Sequence, residues 1–290
     1  MPYPHLSTLL SRTGDSKREQ EETSMTVALF CAGRVAGMPY RIQVIGVGTV
    51  GRATILTMRV LGHEVWAYDI DGRKREEAER WGARWGIADS ADAAFICTHE
   101  RDVESAVREV LHVPRIAVRS TTVPGTVDAL NERYGRKISH IPEFLRERFW
   151  FLDAQRPWRV VIGECCREHG DFYEGLFKPL GVPIVRVKPI ESELIKLANN
   201  AYLAVLISFW NEVHALCQKL GVDTRVVAMA VRMDPRVSPY GTEFFGVPYG
   251  GKCLPKDVKN LVDFARRIGA RLRVVEAAHE VNKELGQRNS

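Results

Sequence analysis

From Arg41 onward, short apolar runs rich in Val and Ile alternate with longer stretches whose apolar positions recur at helical spacing. The runs are Arg41 to Ile45, Glu64 to Ile70, Ala93 to Cys97, Arg115 to Val118, Arg159 to Ile162 and Pro183 to Val187. Apolar strands separated by helices form βαβ units with parallel pairing. The pattern therefore predicts a doubly wound α/β domain over residues 38–188. Past Pro189 the strands stop. Glu191 to Leu220 reads as one helix, with Pro189 as its start signal and Gly221 as its stop. At 1.5 Å per residue it would be about 45 Å long, a spine for further helices or for a second subunit. Thr224 to Arg232, Lys256 to Ile268 and Arg273 to Leu285 also carry helical periodicity, so residues 189–290 form an all-helical second domain built on one long helix.

Residues 1–37 contain a charged patch, Lys17 to Glu22, and a short apolar stretch, Met25 to Ala32, with no sustained period. They are expected to be a disordered extension or a misassigned start, since Met25 or Met38 could each begin a chain. The composition of the whole chain, 45% hydrophobic and 27% charged, excludes a disordered or fibrous protein. Forty-one basic and 36 acidic residues are spread along the chain, which argues against a nucleic-acid-binding stripe. No apolar run reaches the roughly 18 residues of a membrane span. Six cysteines show neither a disulfide framework nor a CxxC pair with a partner at zinc spacing. The expectation is a cytoplasmic protein without a metal site, in which Cys31, Cys97, Cys165, Cys166 and Cys217 are structural thiols.

Candidate chemistry begins at the first strand. Gly46-Val47-Gly48-Thr49-Val50-Gly51 follows it directly and opens a helix, and Asp69 closes the next strand. Such glycines allow a tight turn, approach of the backbone to a pyrophosphate and close packing of helix on strand. The helix N-terminus attracts phosphate, and Asp69 would accept hydrogen bonds from the ribose hydroxyls. This is a Rossmann-like fingerprint, with Gly46, Gly48, Val50 and Gly51 lining the cofactor. A carboxylate at position 69 repels a 2′-phosphate and favours NAD over NADP; Arg73 and Lys74 lie near enough to touch the ribose end or to face solvent.

Four further segments hold reactive residue types. Ser120 to Thr126 ends a strand where doubly wound folds bind ligands, and Pro142 to Glu147 sets two carboxylates beside Arg146. Lys196 and Asn200 lie one helical turn apart on the long helix and share a face. In Tyr249-Gly250-Gly251-Lys252-Cys253-Leu254-Pro255-Lys256-Asp257, two glycines free the backbone to wrap a ligand and two lysines flank a thiol. Asp257, one turn on, could orient water or accept a proton. Those are the parts of a cysteine nucleophile and its supporting base.

Together with Ser208-Phe209-Trp210-Asn211-Glu212 and Asp234-Pro235-Arg236, these segments resemble, in order, the UDP-glucose/GDP-mannose dehydrogenase family. The resemblance implies oxidation of the primary alcohol of a nucleotide sugar to a carboxylate, with NAD as cofactor used in succession. It assigns Cys253 as the nucleophile that forms a thiohemiacetal and then a thioester. Lys196 and Asn200 would stabilise the oxyanion, and Asp257, Glu143 and Thr121 would position water and move protons. Lys74, Thr121, Glu147 and Lys256 match cofactor-contacting positions. Glu143, Phe144, Leu145, Tyr249 and Gly250 match substrate-contacting ones, and Arg236 matches an arginine offered across a homodimer interface made by the long helix. The resemblance further implies that cofactor and substrate meet at the junction of the two domains.

The sequence departs from the family pattern at Ile141, Arg148, Leu206 and Val237-Ser238, and Cys97 to Glu100 replaces a Thr-Pro turn. Thr122 adds a second threonine beside Thr121. Family members continue into a second nucleotide-binding domain past the Val281-Asn282 region, so a separate C-terminal-domain partner is one expectation. Two other readings compete with the nucleotide-sugar dehydrogenase. One is a two-electron hydroxyacid dehydrogenase of the 6-phosphogluconate type, which also resembles the Lys196/Asn200 pattern but has no need of Cys253. The other is a dimerising, NAD-binding fragment or split half without catalysis.

Overall fold

The computed structural model describes residues 38–251 and 253–288; the N-terminal extension and Lys252 lie outside the described residues. Eight strands, β1 (Arg41–Ile45), β2 (Glu64–Tyr68), β3 (Arg84–Trp85), β4 (Ala93–Ile96), β5 (Ile116–Val118), β6 (Ile138–His140), β7 (Val160–Gly163) and β8 (Ile184–Val187), take the order β3-β2-β1-β4-β5-β6-β7-β8. Pairing is parallel from β3 through β5, and β6 meets β7 antiparallel with His140 opposite Gly163. The expected α/β class and doubly wound sheet are present. β3 and β6 were not foreseen, because β3 has two residues and β6, Ile138-Ser139-His140, holds a single apolar one, so neither makes an apolar run.

The chain divides into two compact units that interleave along the sequence. One comprises residues 38–120, Phe144–Val160 and Asp171–Val185; the other comprises Thr121–Glu143, Val161–Gly170 and the chain from Arg186. The first is the Rossmann-like unit. Its central strands β1, β4 and β5 are almost wholly buried, as a sheet covered on both faces requires. Gln43 is the exception in composition, and its amide is used: Nε2 donates to Gly86 O and Oε1 accepts from Ala88 N–H at 2.8 Å, which ties down the turn after β3. The helices α1 (Thr49–Val60), α2 (Arg75–Arg80), α3 (Val103–Glu109) and α5 (Trp150–Gln155) belong to this unit, and Thr57 Oγ1 donates to Ala154 O at 2.8 Å to join α1 to α5. The helices α4 (Thr126–Tyr134) and α6 (Arg167–Phe177) complete the α/β part of the chain.

The second unit is organised by α7 (Pro189–Leu220), which starts two residues before the predicted Glu191. Pro189 suits the first turn, and Glu191 reaches back to accept from Lys188 N–H at 2.8 Å. Gly221, left-handed at φ 66°, ends the helix while Val222 N–H donates to Cys217 O at 3.0 Å, a Schellman closure. Helices α8 (Thr224–Val231), α9 (Leu254–Arg267) and α10 (Arg273–Arg288) follow. Leu197, Ala201, Ala204 and Ile207 of α7 bury against Val258 and Leu261 of α9, with Val275 of α10 packed beside them. No described helix is long and apolar enough to cross a membrane.

The α7 N-terminus lies so close to β7 that a Cβ on Gly163 would meet Ser192 Cβ at 2.7 Å and Pro189 Cα at 2.9 Å. Ser192 Oγ also bonds His140 Nδ1 at 2.9 Å, so this end of the helix is fixed to β6 as well. Gly163→Ala should lower stability by about 1–3 kcal/mol, the usual cost of overpacking. Gly175→Ala, at an exposed α6 position with open space around the added methyl, should raise it by roughly 0.5–1 kcal/mol. Denaturant midpoints that move together would contradict the packing described.

Candidate active site

In the Rossmann-like unit, each fingerprint glycine answers a different demand. Gly46 has φ 93° and leaves no room for a Cβ, which would meet the Cys97 carbonyl at 2.8 Å. A Cβ on Gly51 would overlap the Gly46 carbonyl, so α1 packs against the turn itself. Gly48 is exposed with open space around it, at the position where the backbone must admit a pyrophosphate. Asp69 closes β2 by accepting from Val47 N–H at 2.7 Å and from Asp71 N–H at 2.9 Å. The strand ends at Tyr68, short of the predicted Ile70. Val50 is half-buried in the first turn of α1. Both neighbouring cations are paired: Arg73 Nε donates to Asp71 at 2.8 Å, and Lys74 Nζ to Glu77 at 2.9 Å. An open glycine, a helix start directly after it and a carboxylate closing β2 fit a dinucleotide.

In the second unit, the α7–α9 seam gathers the polar candidates. Asp257 is 1% exposed, and Asn200 Nδ2 donates to its Oδ2 at 2.7 Å. Lys256 Nζ lies 2.7 Å from Asp257 Oδ1. Lys196 is half-buried as a residue, yet its ammonium is the desolvated end. Burial holds that ammonium below the ordinary lysine range, while the charges of Asp257, Cys253 and Glu143 pull it back up. These four side chains therefore share one electrostatic environment, with Glu143 only 9% exposed. Cys253 caps the N-terminus of α9, and its carbonyl accepts from Asp257 N–H at 2.8 Å. The residue is exposed, unlike the buried Cys97 and Cys217.

Two asparagines fix the approach to that cysteine. Asn211 Nδ2 donates to Val247 O at 2.9 Å and its Oδ1 accepts from Gly246 N–H at 2.9 Å. Asn282 clamps Tyr249 likewise, accepting from its N–H at 2.6 Å and donating to its carbonyl at 3.0 Å. Asn211 belongs to the Ser208 to Glu212 motif, whereas Asn282 lies in the Val281-Asn282 region and was not expected at the site. The residue that sequence reading missed outright is Glu193, fully buried on α7, which accepts from Thr122 Oγ1 at 2.9 Å, Gly125 N–H at 2.6 Å and Val127 N–H at 3.0 Å. A carboxylate on the same helical face as Leu197 and Asn200 was the available signal.

Other predicted residues stand as follows. Thr121 is half-buried, while its neighbour Thr122 is committed to Glu193. Tyr249 is 4% exposed, with its hydroxyl 3.0 Å from His279 Nδ1, and burial pushes its pKa up to about 12. Gly250 is exposed. Phe144 lies in the first unit with the Arg159 guanidinium over its ring at 4.1 Å; Leu145 is half-buried and Glu147 exposed there. Arg146, expected beside Glu143 and Glu147, bonds Asp153 through both guanidinium and backbone. Arg236 is 87% exposed and forked onto Asp234.

Residues 190–284 match the UDP-glucose/GDP-mannose dehydrogenase family, central domain, and residues 16–127 match the alanine dehydrogenase/PNT, C-terminal domain. A UDP-glucose dehydrogenase structure from Pyrobaculum islandicum is similar at TM-score 0.77 and 30% identity, over 87% of this chain and 70% of that one. A GDP-mannose 6-dehydrogenase of Pseudomonas putida is 30% identical over 85% of this chain and 69% of its own length. The chain belongs to the UDP-glucose/GDP-mannose dehydrogenase family. A UDP-glucose 6-dehydrogenase of Bacillus subtilis, 31% identical, is matched over 83% of this chain and 65% of its own length, so the chain spans about two thirds of such relatives. The cofactor that this fold and family take is NAD.

Within this family member, Ile141, one of the departures from the family pattern, is fully buried and serves the core. Burial pushes Glu193 up to about 7 from 4.5, against the three donors that favour its ionised form. A carboxyl raised in the folded state contributes stability that is full below its unfolded pKa and is lost as pH rises through the folded value. Stability should therefore fall between about pH 4.5 and 7, by on the order of 3 kcal/mol for the whole shift. Glu193→Gln should flatten that slope in urea midpoints measured across the interval; an unchanged slope would show that the carboxyl titrates normally.

Proposed function

We propose that the chain carries the machinery for NAD-dependent oxidation of the primary alcohol of a nucleotide sugar to the acid, through a covalent intermediate on Cys253. The supporting observation is the joint placement, in one compact unit, of an exposed thiol at a helix start, a desolvated ammonium and a buried Asn200–Asp257 pair.

Bound NAD supplies the acceptor for each of two electron pairs. In the first oxidation the alcohol becomes an aldehyde, and its hydroxyl proton leaves to a base. The Cys253 thiolate then adds to the aldehyde carbon, forming a C–S bond and placing a negative charge on the oxygen. The Lys196 ammonium, held in a dry setting, stabilises that alkoxide more strongly than it would in water. The second oxidation converts the thiohemiacetal to a thioester. Water attacks the thioester carbon, gives its proton to a carboxylate and releases the acid as the thiolate leaves. Asp257 and Glu143 are the candidate bases, and Asn200 holds Asp257 in orientation. In the same scheme Thr121, Glu147, Lys74 and Lys256 serve the cofactor, and Phe144, Leu145, Tyr249 and Gly250 the substrate. A further domain of the kind the relatives possess would grip the nucleotide.

The long helix supports a dimer. Leu194, Tyr202, Phe209, Leu216 and Leu220 are 46–66% exposed along α7, on positions its own unit leaves uncovered. Pairing through this stripe would present Arg236 to the partner's substrate.

A screen of UDP- and GDP-sugars with NAD should give about two NADH per substrate consumed, as a four-electron oxidation demands. Cys253→Ser should reduce acid formation by roughly 1,000-fold or more. One NADH per turnover, indifferent to Cys253, would select the two-electron hydroxyacid dehydrogenase; NAD binding without turnover would select the non-catalytic fragment. Light scattering should give twice the mass of one chain, reverting towards one in Phe209→Asp. A monomer at all concentrations would remove Arg236 from the site.

A further inference from the structure

Outside the candidate active site, one cluster of soft ligands stands apart. Cys165 and Cys166, expected to be structural thiols, end the turn between β7 and α6, and His169 lies in the first turn of α6. The spacing explains the meeting: a helix that begins at Arg167 brings the fourth residue after Cys165 back over it. The ligand atoms of Cys165, Cys166 and His169 all lie within 4.8 Å of one another, and Cys165 Sγ is 3.3 Å from His169 Nδ1.

We propose that Cys165, Cys166 and His169 bind a thiophilic metal ion, specifically zinc, in a site separate from the Cys253 chemistry. Zinc–sulfur bonds of about 2.3 Å and zinc–nitrogen bonds of about 2.0 Å put tetrahedral ligands roughly 3.5–3.8 Å apart, so little rearrangement is needed. Each thiol gives its proton to solvent as its sulfur–zinc bond forms, and no electron is transferred. Two thiolates, a neutral imidazole and a divalent ion sum to zero charge, which suits a half-buried place. Water completes the tetrahedron.

The surroundings hold the three ligands in position. His169 is 5% exposed, and Ser139 Oγ of β6 lies 3.4 Å from Cys165 Sγ. On one side of the turn, Glu164 N–H donates to Val187 O at 2.8 Å and the Glu164 carboxylate pairs with Arg186. That pair fills the space where Gly170, next to His169, would carry a Cβ.

The test titrates the reduced, metal-stripped full chain with Co2+ and then Zn2+. One cobalt ion per chain should give a thiolate-to-cobalt charge-transfer band that zinc abolishes, and zinc X-ray absorption should show two sulfurs with nitrogen. Cys165→Ser/Cys166→Ser should lose the band, His169→Gln should weaken binding by more than the roughly 10–100-fold typical of outer-shell changes, and Cys253→Ser should keep it. Because the double variant could fail to fold, peptide-mapped alkylation of the unaltered protein supplies an independent arm: zinc should shield Cys165 and Cys166. An oxygen- and nitrogen-only shell, unshielded cysteines, no retained ion, or a band that survives the double substitution would each overturn the proposal.

Discussion

The seam between α7 and α9 is the constraint from which the second unit follows. Asp257 is buried at 1% exposure, and a buried carboxylate is tolerated only when its charge and lone pairs are met. Asn200 bonds one oxygen, while Lys256 and the field of Lys196 meet the charge, leaving Oδ1 with an ion pair but no hydrogen bond. Those partners sit where they do because Leu197 and Ala201 interdigitate with Leu261 one turn further along. A slip of either helix by one turn would break the apolar packing and strand the carboxylate together. Cys253 inherits its position from this arrangement, since it begins the helix that carries Asp257.

In the Rossmann-like unit, electrostatics narrow what the loop after β1 accepts. Asp69 braces the glycine turn through Val47 N–H and is one negative charge at the ribose end. Arg73 and Lys74 would otherwise soften that charge, but each is engaged by its own carboxylate. Asp69 and the local pairing around it would disfavour a 2′-phosphate at this position.

Much of this was legible in the chain. The six apolar runs all became strands, and four of them, β1, β4, β5 and β7, are buried on both faces, which leaves an unbroken apolar signature. The glycine fingerprint, the long helix and the shared face of Lys196 and Asn200 were visible from spacing. What escaped depended on distant partners. β6 is three residues long and is defined by its neighbours in the sheet. Glu193 looked like one more helical acid until the Thr122–Val127 turn closed over it. The turn that folds His169 back onto adjacent cysteines has no CxxC spacing, so a search for paired thiols passed over it. Tyr249 read as a ligand contact in a glycine-rich loop, and its packing with Ala204 and Ile207 was not visible from that loop.

The asparagine clamp on Tyr249 has a mechanical consequence. Asn282 freezes the chain on one side of the glycines, and the first turn of α9 freezes it on the other. Gly250 and Gly251, the latter at φ 74°, lie between these two fixed points. Because the Cys253 carbonyl accepts from Asp257 N–H, the thiol-bearing residue and the buried acid ride on one helix start and keep a single spacing.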